Sequence, residues 1–98
     1  MNPKKYMIHA NVTNESIVSF ETSGGPLVIA FTDAERAKAY QLLVTKETRD
    51  RIACWEFEAE SREDLRRKIK LDPDEATLVL DTDPGIMEMV KEWARRNA

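Results

Sequence analysis

The sequence has very little cysteine, histidine and glycine, and it has no long apolar run. Cys54 is the only cysteine and His9 the only histidine among 98 residues. A single chain therefore has no internal disulfide and no zinc site built from several Cys and His ligands. With no stretch of about 18 apolar residues, we expect no membrane-spanning helix. The N-terminus has no long apolar segment either, so we expect no signal peptide.

The charge balance is mildly acidic. The net charge is −3, with hydrophobic residues at 42% and charged residues at 34%. This composition provides one apolar core with a well-solvated surface, so we expect residues 1–98 to form a single domain. An acidic chain has no overall attraction to phosphate, and we expect no nucleic-acid partner. The lone cysteine fits a reducing compartment, which indicates the cytoplasm.

Hydrophobic patterning predicts five strands. Alternation predicts half-buried strands over 5–12 and 51–58, and the segment 15–22 is expected to pair back on the first strand after a turn at Thr13-Asn14. Continuous apolar runs predict strands covered on both faces over 27–31 and 76–81. Ser23-Gly24-Gly25-Pro26 predicts a tight turn between the second and third strands, in which Gly24 or Gly25 adopts a positive φ.

Three segments have helical signals. Thr32 and Glu35 have the spacing of a capping box ahead of a helix over 33–47. Ser61 begins a similar pattern ahead of a short helix over 62–70. Pro84 predicts the start of a last helix, since proline is well tolerated at the first helical position. The apolar stripe of that helix includes Trp93, which we expect to be largely buried.

The predicted fold class is α/β, with α+β-like character. The expected architecture is a mixed five-stranded sheet with three helices, in the order β-β-β-α-β-α-β-α. The first three strands are expected to form an antiparallel meander, and the helix-connected strands to run parallel. The two fully apolar strands should be central, and the strand over 51–58 should lie nearer an edge because it carries Glu56 and Glu58.

Two short segments resemble a known family. Phe31 and Thr32 end an apolar strand ahead of a helix, and Pro84 with Gly85 forms a turn after a later apolar strand. This arrangement resembles the N-terminal domain of the SseB family over roughly residues 25–97. The resemblance implies an α/β domain and no particular catalytic residue.

A second likeness covers only one motif. Asp81-Thr82-Asp83-Pro84-Gly85 matches the opening motif of nucleoside hydrolases. The match ends there, because the further aspartates of that motif are absent and a short remainder of chain follows Gly85. A motif counts only in its structural context, so we do not assign this activity.

Acidic side chains are expected where the parallel strands end. Asp33, Glu58, Asp81 and Asp83 should lie at the carboxyl-terminal edge of the sheet, where open α/β sheets place ligands. Carboxylates at this edge have the chemistry to hold Mg²⁺. The alternative interpretation is helix capping, because several of these residues fall in first turns.

The remaining reactive side chains give no catalytic pattern. We expect Cys54 to be a buried, inert thiol and His9 to face the surface or a partner. If the first strand is the outer edge of the sheet, then Met7, His9 and Asn11 lie on a weakly defended edge. Such an edge pairs with a second copy of the chain or docks a partner strand. The alternative is that a helix or a neighbouring strand covers the first strand.

The sequence therefore favours a non-enzymatic binding or regulatory module that acts through protein–protein contacts. No cofactor, resident metal or catalytic residue is assigned. The alternative is a small ligand-binding, metal-binding or enzymatic domain that uses the acidic strand ends.

Overall fold

The chain alternates strands and helices over most of its length. The computed structural model describes residues 3–96, without the side chains at positions 21, 43, 93 and 94. The expectation that Trp93 is buried falls on one of these side chains and lies outside the described residues. The elements are β1 (Lys4–Asn11), β2 (Phe20–Thr22), β3 (Gly25–Ala30), α1 (Ala34–Leu43), α2 (Lys46–Arg49), β4 (Ile52–Ala59), α3 (Arg62–Lys68), β5 (Thr77–Leu80) and α4 (Ile86–Arg96).

The strands divide into two hydrogen-bonded sheets. One contains β1 and β4, which are antiparallel, and the other has the order β2-β3-β5. In the second sheet β2 is antiparallel to β3, and β5 is parallel to it. The prediction of one mixed five-stranded sheet with three helices is thus wrong for residues 3–96, which contain two sheets and four helices. The coarser prediction of a mixed α/β domain is confirmed.

Single bridges connect β1 to the second sheet. Met7 pairs with Phe31, just after β3, and Ala10 pairs with Ile17, ahead of β2. The predicted meander is therefore only partly formed: β2 and β3 make a hairpin, whereas β1 forms its long ladder with the distant β4. The predicted positions of the apolar strands are also half correct, because β3 is central and β5 has a strand neighbour on one side only.

Helices cover both faces of the strands. Alternate residues of β3 enter two cores: Val28 and Ala30 pack in the core with Leu65 of α3, while Ile29 packs in the core with Tyr40 of α1. Such burial on both faces accounts for the uninterrupted apolar run in this strand. Each large aliphatic or aromatic side chain buried in this way contributes about 1.5–3 kcal/mol, which stabilises the three-layer arrangement.

The turn between β2 and β3 and the cap of α3 are as the sequence predicts, but the cap of α1 is a different residue from the predicted one. Gly25 has φ +108°, as expected for the hairpin between β2 and β3. Ser61 caps α3 by accepting a hydrogen bond from the Asp64 N–H at 3.1 Å. The cap of α1 is Asp33, which accepts from the Glu35 N–H at 2.8 Å, and is not Thr32 as predicted.

The predicted helix over 33–47 is two helices. α1 ends at position 43, and Thr45 then caps the single turn of α2 by accepting from the Thr48 N–H. Arg49 donates to the carbonyl oxygens of Gln41 at 2.9 Å and of Val44 at 3.2 Å. These bonds satisfy carbonyl groups that the end of a helix leaves without a partner, and they hold the sharp turn in place.

Candidate functional site

The expected acidic edge exists, and its direction follows from the strand pairing. β5 is parallel to β3, and β4 runs the same way because both β4 and the end of β3 are antiparallel to β1. The carboxyl-terminal ends of β3, β4 and β5 therefore lie at one end of the molecule, which we call the strand-end edge. This edge includes Asp33, Glu58, Asp81 and Asp83.

Asp81 is the buried centre of the strand-end edge. Its residue is only 3% exposed. One carboxylate oxygen accepts from the Thr32 hydroxyl at 2.9 Å, and the other accepts from the Thr32 N–H at 3.1 Å. Arg36 of α1 completes the arrangement with an ion pair at 3.3 Å. The carboxylate thus links the end of β5 to the end of β3, and Thr32 acts here instead of capping α1.

The other two aspartates also bond to nearby structure. Asp83 Oδ2 accepts from the Leu80 N–H at 3.0 Å, and Asp83 Oδ1 pairs with Arg62 at 3.1 Å. Asp33 caps α1. These bonds close the turn after β5 and fix the start of α3 beside it. No local pattern in the sequence predicts the contact of Arg36 with Asp81 or that of Arg62 with Asp83.

Glu58 stands apart from the three aspartates. Its side chain is exposed, and its backbone carbonyl accepts from Lys68 Nζ at 2.5 Å. Within the described residues, no group of three or more His, Cys, Asp or Glu side chains is arranged to hold a metal ion. The aspartate oxygens of the strand-end edge are engaged in holding the fold.

The residues expected on a free partner edge are internal. Met7 exchanges both backbone hydrogen bonds with Phe31 at 2.8 Å, and the His9 carbonyl accepts from the Val18 N–H at 2.9 Å. The Asn11 N–H donates to Ser16. On its other side, β1 is paired with β4 along its whole length. β1 is therefore not an outer edge, and the alternative of a covering neighbour strand is the one that forms. Local patterning does not encode the pairing with β4, because that pairing is long-range.

His9 is buried in an aromatic cluster, which corrects the expectation that it faces the surface. The residue is 4% exposed, and its ring meets Tyr40 at 4.6 Å and Phe31 at 5.4 Å between centroids, both edge-on. Burial lowers the pKa of His9 to about 4, against which a hydrogen bond with the Ala37 backbone acts. The Nε2 atom has no hydrogen-bond partner among the described residues. His9 is thus a neutral core residue at neutral pH.

Cys54 is exposed, contrary to the expectation of a buried thiol. It lies opposite His9 in the β1–β4 ladder, on the same face of the sheet. Partial burial and the nearby Glu56 carboxylate raise the pKa of the Cys54 thiol, which reduces its thiolate fraction at neutral pH.

β4 is an edge strand, because it pairs with β1 on one side and has no strand on the other in the described residues. Met7 directs its N–H and C=O towards Phe31, so its neighbours Tyr6 and Ile8 direct theirs towards their partners Phe57 and Trp55. The backbone groups of β4 alternate in the same way. Cys54, Glu56 and Glu58 consequently direct their N–H and C=O groups away from β1, in agreement with the Lys68 contact to the Glu58 carbonyl. We call these outward groups the β4 edge.

The side chains beside the β4 edge are acidic. Glu56 and Glu58 are both exposed and lie on the same face as Cys54. Lys5, across the ladder, approaches Glu56 at 3.8 Å, and both side chains are largely solvated. Such an exposed ion pair contributes little to the free energy of folding. The sequence carries a signal for this edge, because the two glutamates predict that the strand over 51–58 lies near an edge of its sheet.

Comparisons with protein-family models, curated proteins and solved structures found no match. None of the helices in the described part of the chain has the length and apolar character needed to cross a membrane.

Proposed function

We propose that this chain is a non-enzymatic binding module that acts through protein–protein contacts, and that the β4 edge is its docking surface. The observation that carries the proposal is a strand of eight residues, Ile52–Ala59, which pairs with β1 on one side only. Backbone donors and acceptors on an outer strand are the groups that an added strand uses for recognition.

The occupant is an extended, basic segment of another protein. Glu56 and Glu58 project from one face of the edge. Lys or Arg at alternate positions of an added strand would stand next to them, and opposite charges across a strand pair are favourable. Self-pairing of β4 would gather four glutamates on one face of a continuous sheet, and the chain itself carries a net charge of −3. Charge therefore favours a basic partner over a second copy.

The aspartates of the strand-end edge support the same proposal, because they are hydrogen-bonded within the fold. Asp81, Asp83 and Asp33 bond to backbone groups and arginines close by, so they act in the stability of the fold. The proposal includes a cytoplasmic location, for which the ground is the single free cysteine. The resemblance to the SseB family stays a prediction.

The test measures binding of two ten-residue peptides to the full chain by fluorescence anisotropy. One peptide alternates Lys and Val, and the other alternates Glu and Val. We expect saturable binding of the Lys–Val peptide that weakens with salt, and at least tenfold weaker binding of the Glu–Val peptide. Equal affinities, or no binding of the Lys–Val peptide, would overturn the proposal.

A matched pair of variants locates the binding. Cys54→Pro removes an outward N–H from the β4 edge, whereas Cys54→Ser keeps it. We expect Cys54→Pro to lose peptide binding and Cys54→Ser to retain it. Light scattering on the same samples distinguishes the occupants: a dimer that Cys54→Pro dissociates would identify a second copy as the occupant and contradict the basic partner.

A further inference from the structure

A cleft separate from both edges opens on the α3 side of the sheet. Its volume is about 330 Å³, within the range of about 300–1,000 Å³ that is usual for small-molecule sites. The apolar part of its lining comes from Ile17, Val28, Ile69, Leu71 and Ala76. The cleft lies between the segment that follows β1 and the segment that follows α3.

Charged side chains of both signs surround this apolar floor. Lys70 contributes a cation, and Glu15 and Glu75 contribute carboxylates. All three residues are exposed. Ser16 and Ser19 add hydroxyl groups to the lining. Five of the ten lining residues are thus polar or charged and five are apolar, so the cleft offers both kinds of contact to a ligand.

The backbone at two of these charged residues is unusual. Glu15 has φ +61° and Lys70 has φ +56°, and they are the two non-glycine residues with positive φ in the described part of the chain. Both line the cleft. Glycine adopts this conformation freely, whereas other residues adopt it at a cost.

Lys70 is the left-handed residue that ends α3. The Lys70 N–H donates to the Arg67 carbonyl and the Leu71 N–H to the Arg66 carbonyl, both at 3.1 Å. This pair of bonds is the Schellman motif, whose left-handed residue is most often glycine. A lysine therefore stands at a position that favours glycine, and this residue lines the cleft.

We propose that the cleft binds a small zwitterionic molecule with an apolar side chain, of the α-amino acid class. Lys70 pairs with its carboxylate and Glu15 pairs with its ammonium group. The apolar side chain lies on the floor formed by Ile17, Val28 and Leu71. Both signs of charge around one apolar floor favour a zwitterion over a simple amine or a simple acid.

Calorimetric titration of the full chain with L-leucine tests the proposal. Isoamylamine lacks only the carboxylate of leucine, and isocaproate lacks only the ammonium group. We expect saturable binding of L-leucine and at least tenfold weaker binding of each of the other two compounds. No saturable heat with L-leucine would overturn the proposal, as would equal binding of isoamylamine or isocaproate.

Variants then separate the role of the side chain from the role of the backbone. Lys70→Gly removes the charge and relieves the left-handed conformation, so we expect at least tenfold weaker L-leucine binding with an unchanged or higher melting temperature. Lys70→Arg keeps the charge and should bind within a few-fold of the unmodified protein. Lys38→Ala removes an exposed lysine on α1 and is the matched control, with unchanged binding.

A second variant tests the other end of the ligand. Glu15→Gly should weaken binding of L-leucine at least tenfold while leaving the weaker binding of isocaproate unchanged. Unchanged L-leucine binding in both Lys70→Gly and Glu15→Gly would contradict the assignment. A lower melting temperature of Lys70→Gly would also contradict it, because it would give Lys70 a structural role.

Discussion

The polar groups of the strand-end edge are bonded within the chain, whereas those of the β4 edge point outwards. At the strand-end edge, the buried Asp81 carboxylate bonds to both the N–H and the hydroxyl of Thr32 and pairs with Arg36. At the β4 edge, the backbone groups of Cys54 and Glu56 point away from their sheet. Polar groups that are bonded within the chain hold the fold together, whereas the outward backbone groups of Cys54 and Glu56 are the ones that we propose for recognition. Under the proposed function, the strand-end edge therefore serves stability and the β4 edge serves binding.

The largest effect on stability is expected at Asp81. Asp81→Ala leaves two Thr32 groups without their acceptor and separates the ends of β3 and β5. Hydrogen bonds to a charged group contribute about 1.5–3 kcal/mol each, so we expect a loss of at least about 3 kcal/mol in the free energy of unfolding. Urea denaturation followed by circular dichroism measures it.

Asp74→Ala is the matched control for this change. Asp74 is exposed and lies in the loop ahead of β5, away from the strand-end edge. Its replacement should change the free energy of unfolding by no more than about 0.5 kcal/mol, as is usual for surface positions. If Asp81→Ala were as mild as Asp74→Ala, the structural role of the strand-end edge would be refuted.

His9 is an intermediate case, buried like Asp81 but incompletely bonded, and it makes stability depend on pH. Burial lowers its pKa from 6.5 to about 4, so the folded state favours the neutral ring. A depressed pKa contributes stability that is complete above pH 6.5 and is lost as the pH falls towards 4. The expected loss is about 3 kcal/mol, since one pKa unit corresponds to about 1.4 kcal/mol.

His9→Phe isolates this contribution from that of the carboxylates. Phenylalanine keeps an aromatic ring against Phe31 and Tyr40 but does not titrate. Subtracting the free energy of unfolding of the variant from that of the unmodified protein, at each pH from 7 to 4, should give a decline of this size. A difference that stays constant with pH would show that His9 is solvated in the folded protein.

The two partners of Asp81 should contribute different amounts to the free energy of unfolding. Thr32→Val removes the hydroxyl that donates to Asp81 at 2.9 Å, and we expect a loss of about 1–2 kcal/mol. Arg36→Ala should cost less than about 1 kcal/mol, because the Arg36 side chain is 45% exposed and solvent screens its ion pair. Urea denaturation measures both losses in the free energy of unfolding. A loss in Arg36→Ala that equals or exceeds the loss in Thr32→Val would show that the ion pair, and not the hydrogen bond, stabilises the buried Asp81.

The smallest effect on stability is expected at the β4 edge. The Cys54 N–H points outwards, so Cys54→Pro removes no bond of the β1–β4 ladder and should cost less than about 1 kcal/mol. Ala53→Pro removes an N–H that faces Ala10 on β1 and should cost at least about 2 kcal/mol. Thermal unfolding compares the two variants, and similar losses would show that β4 has no free edge.

Local signals in the sequence were sufficient for several parts of the fold. The apolar run after Gly25 predicted a strand buried on both faces, and β3 is central with Val28 and Ile29 in different cores. The glycine pair predicted the positive φ found at Gly25. Ser61 predicted the cap of α3. Each of these features depends on residues close together in the chain, so composition and spacing carry the information.

Long-range pairing accounts for what the sequence did not reveal. Alternation in β1 predicted a half-buried strand, whereas Ile8 and His9 are buried on opposite faces. It also gave no sign of the ladder with β4 or of the bridge between β1 and the end of β3. For the candidate site, the expected cap by Thr32 competed with a bond to Asp81, far along the chain, and the distant bond is the one that forms. Cys54 shares a face with the buried His9, yet it is exposed, and periodicity does not encode how far the covering elements extend.

Amide hydrogen exchange, resolved by residue with NMR, tests the central claim most directly. In the free protein, the outward amides of Cys54 and Glu56 should exchange fast, and those of Ala53, Trp55 and Phe57 should be protected by pairing with β1. Addition of the alternating Lys–Val peptide should slow exchange at Cys54 and Glu56 and leave the other three unchanged. Protection of Cys54 and Glu56 in the free protein, or no slowing with the peptide, would contradict the assignment of the β4 edge as the docking surface.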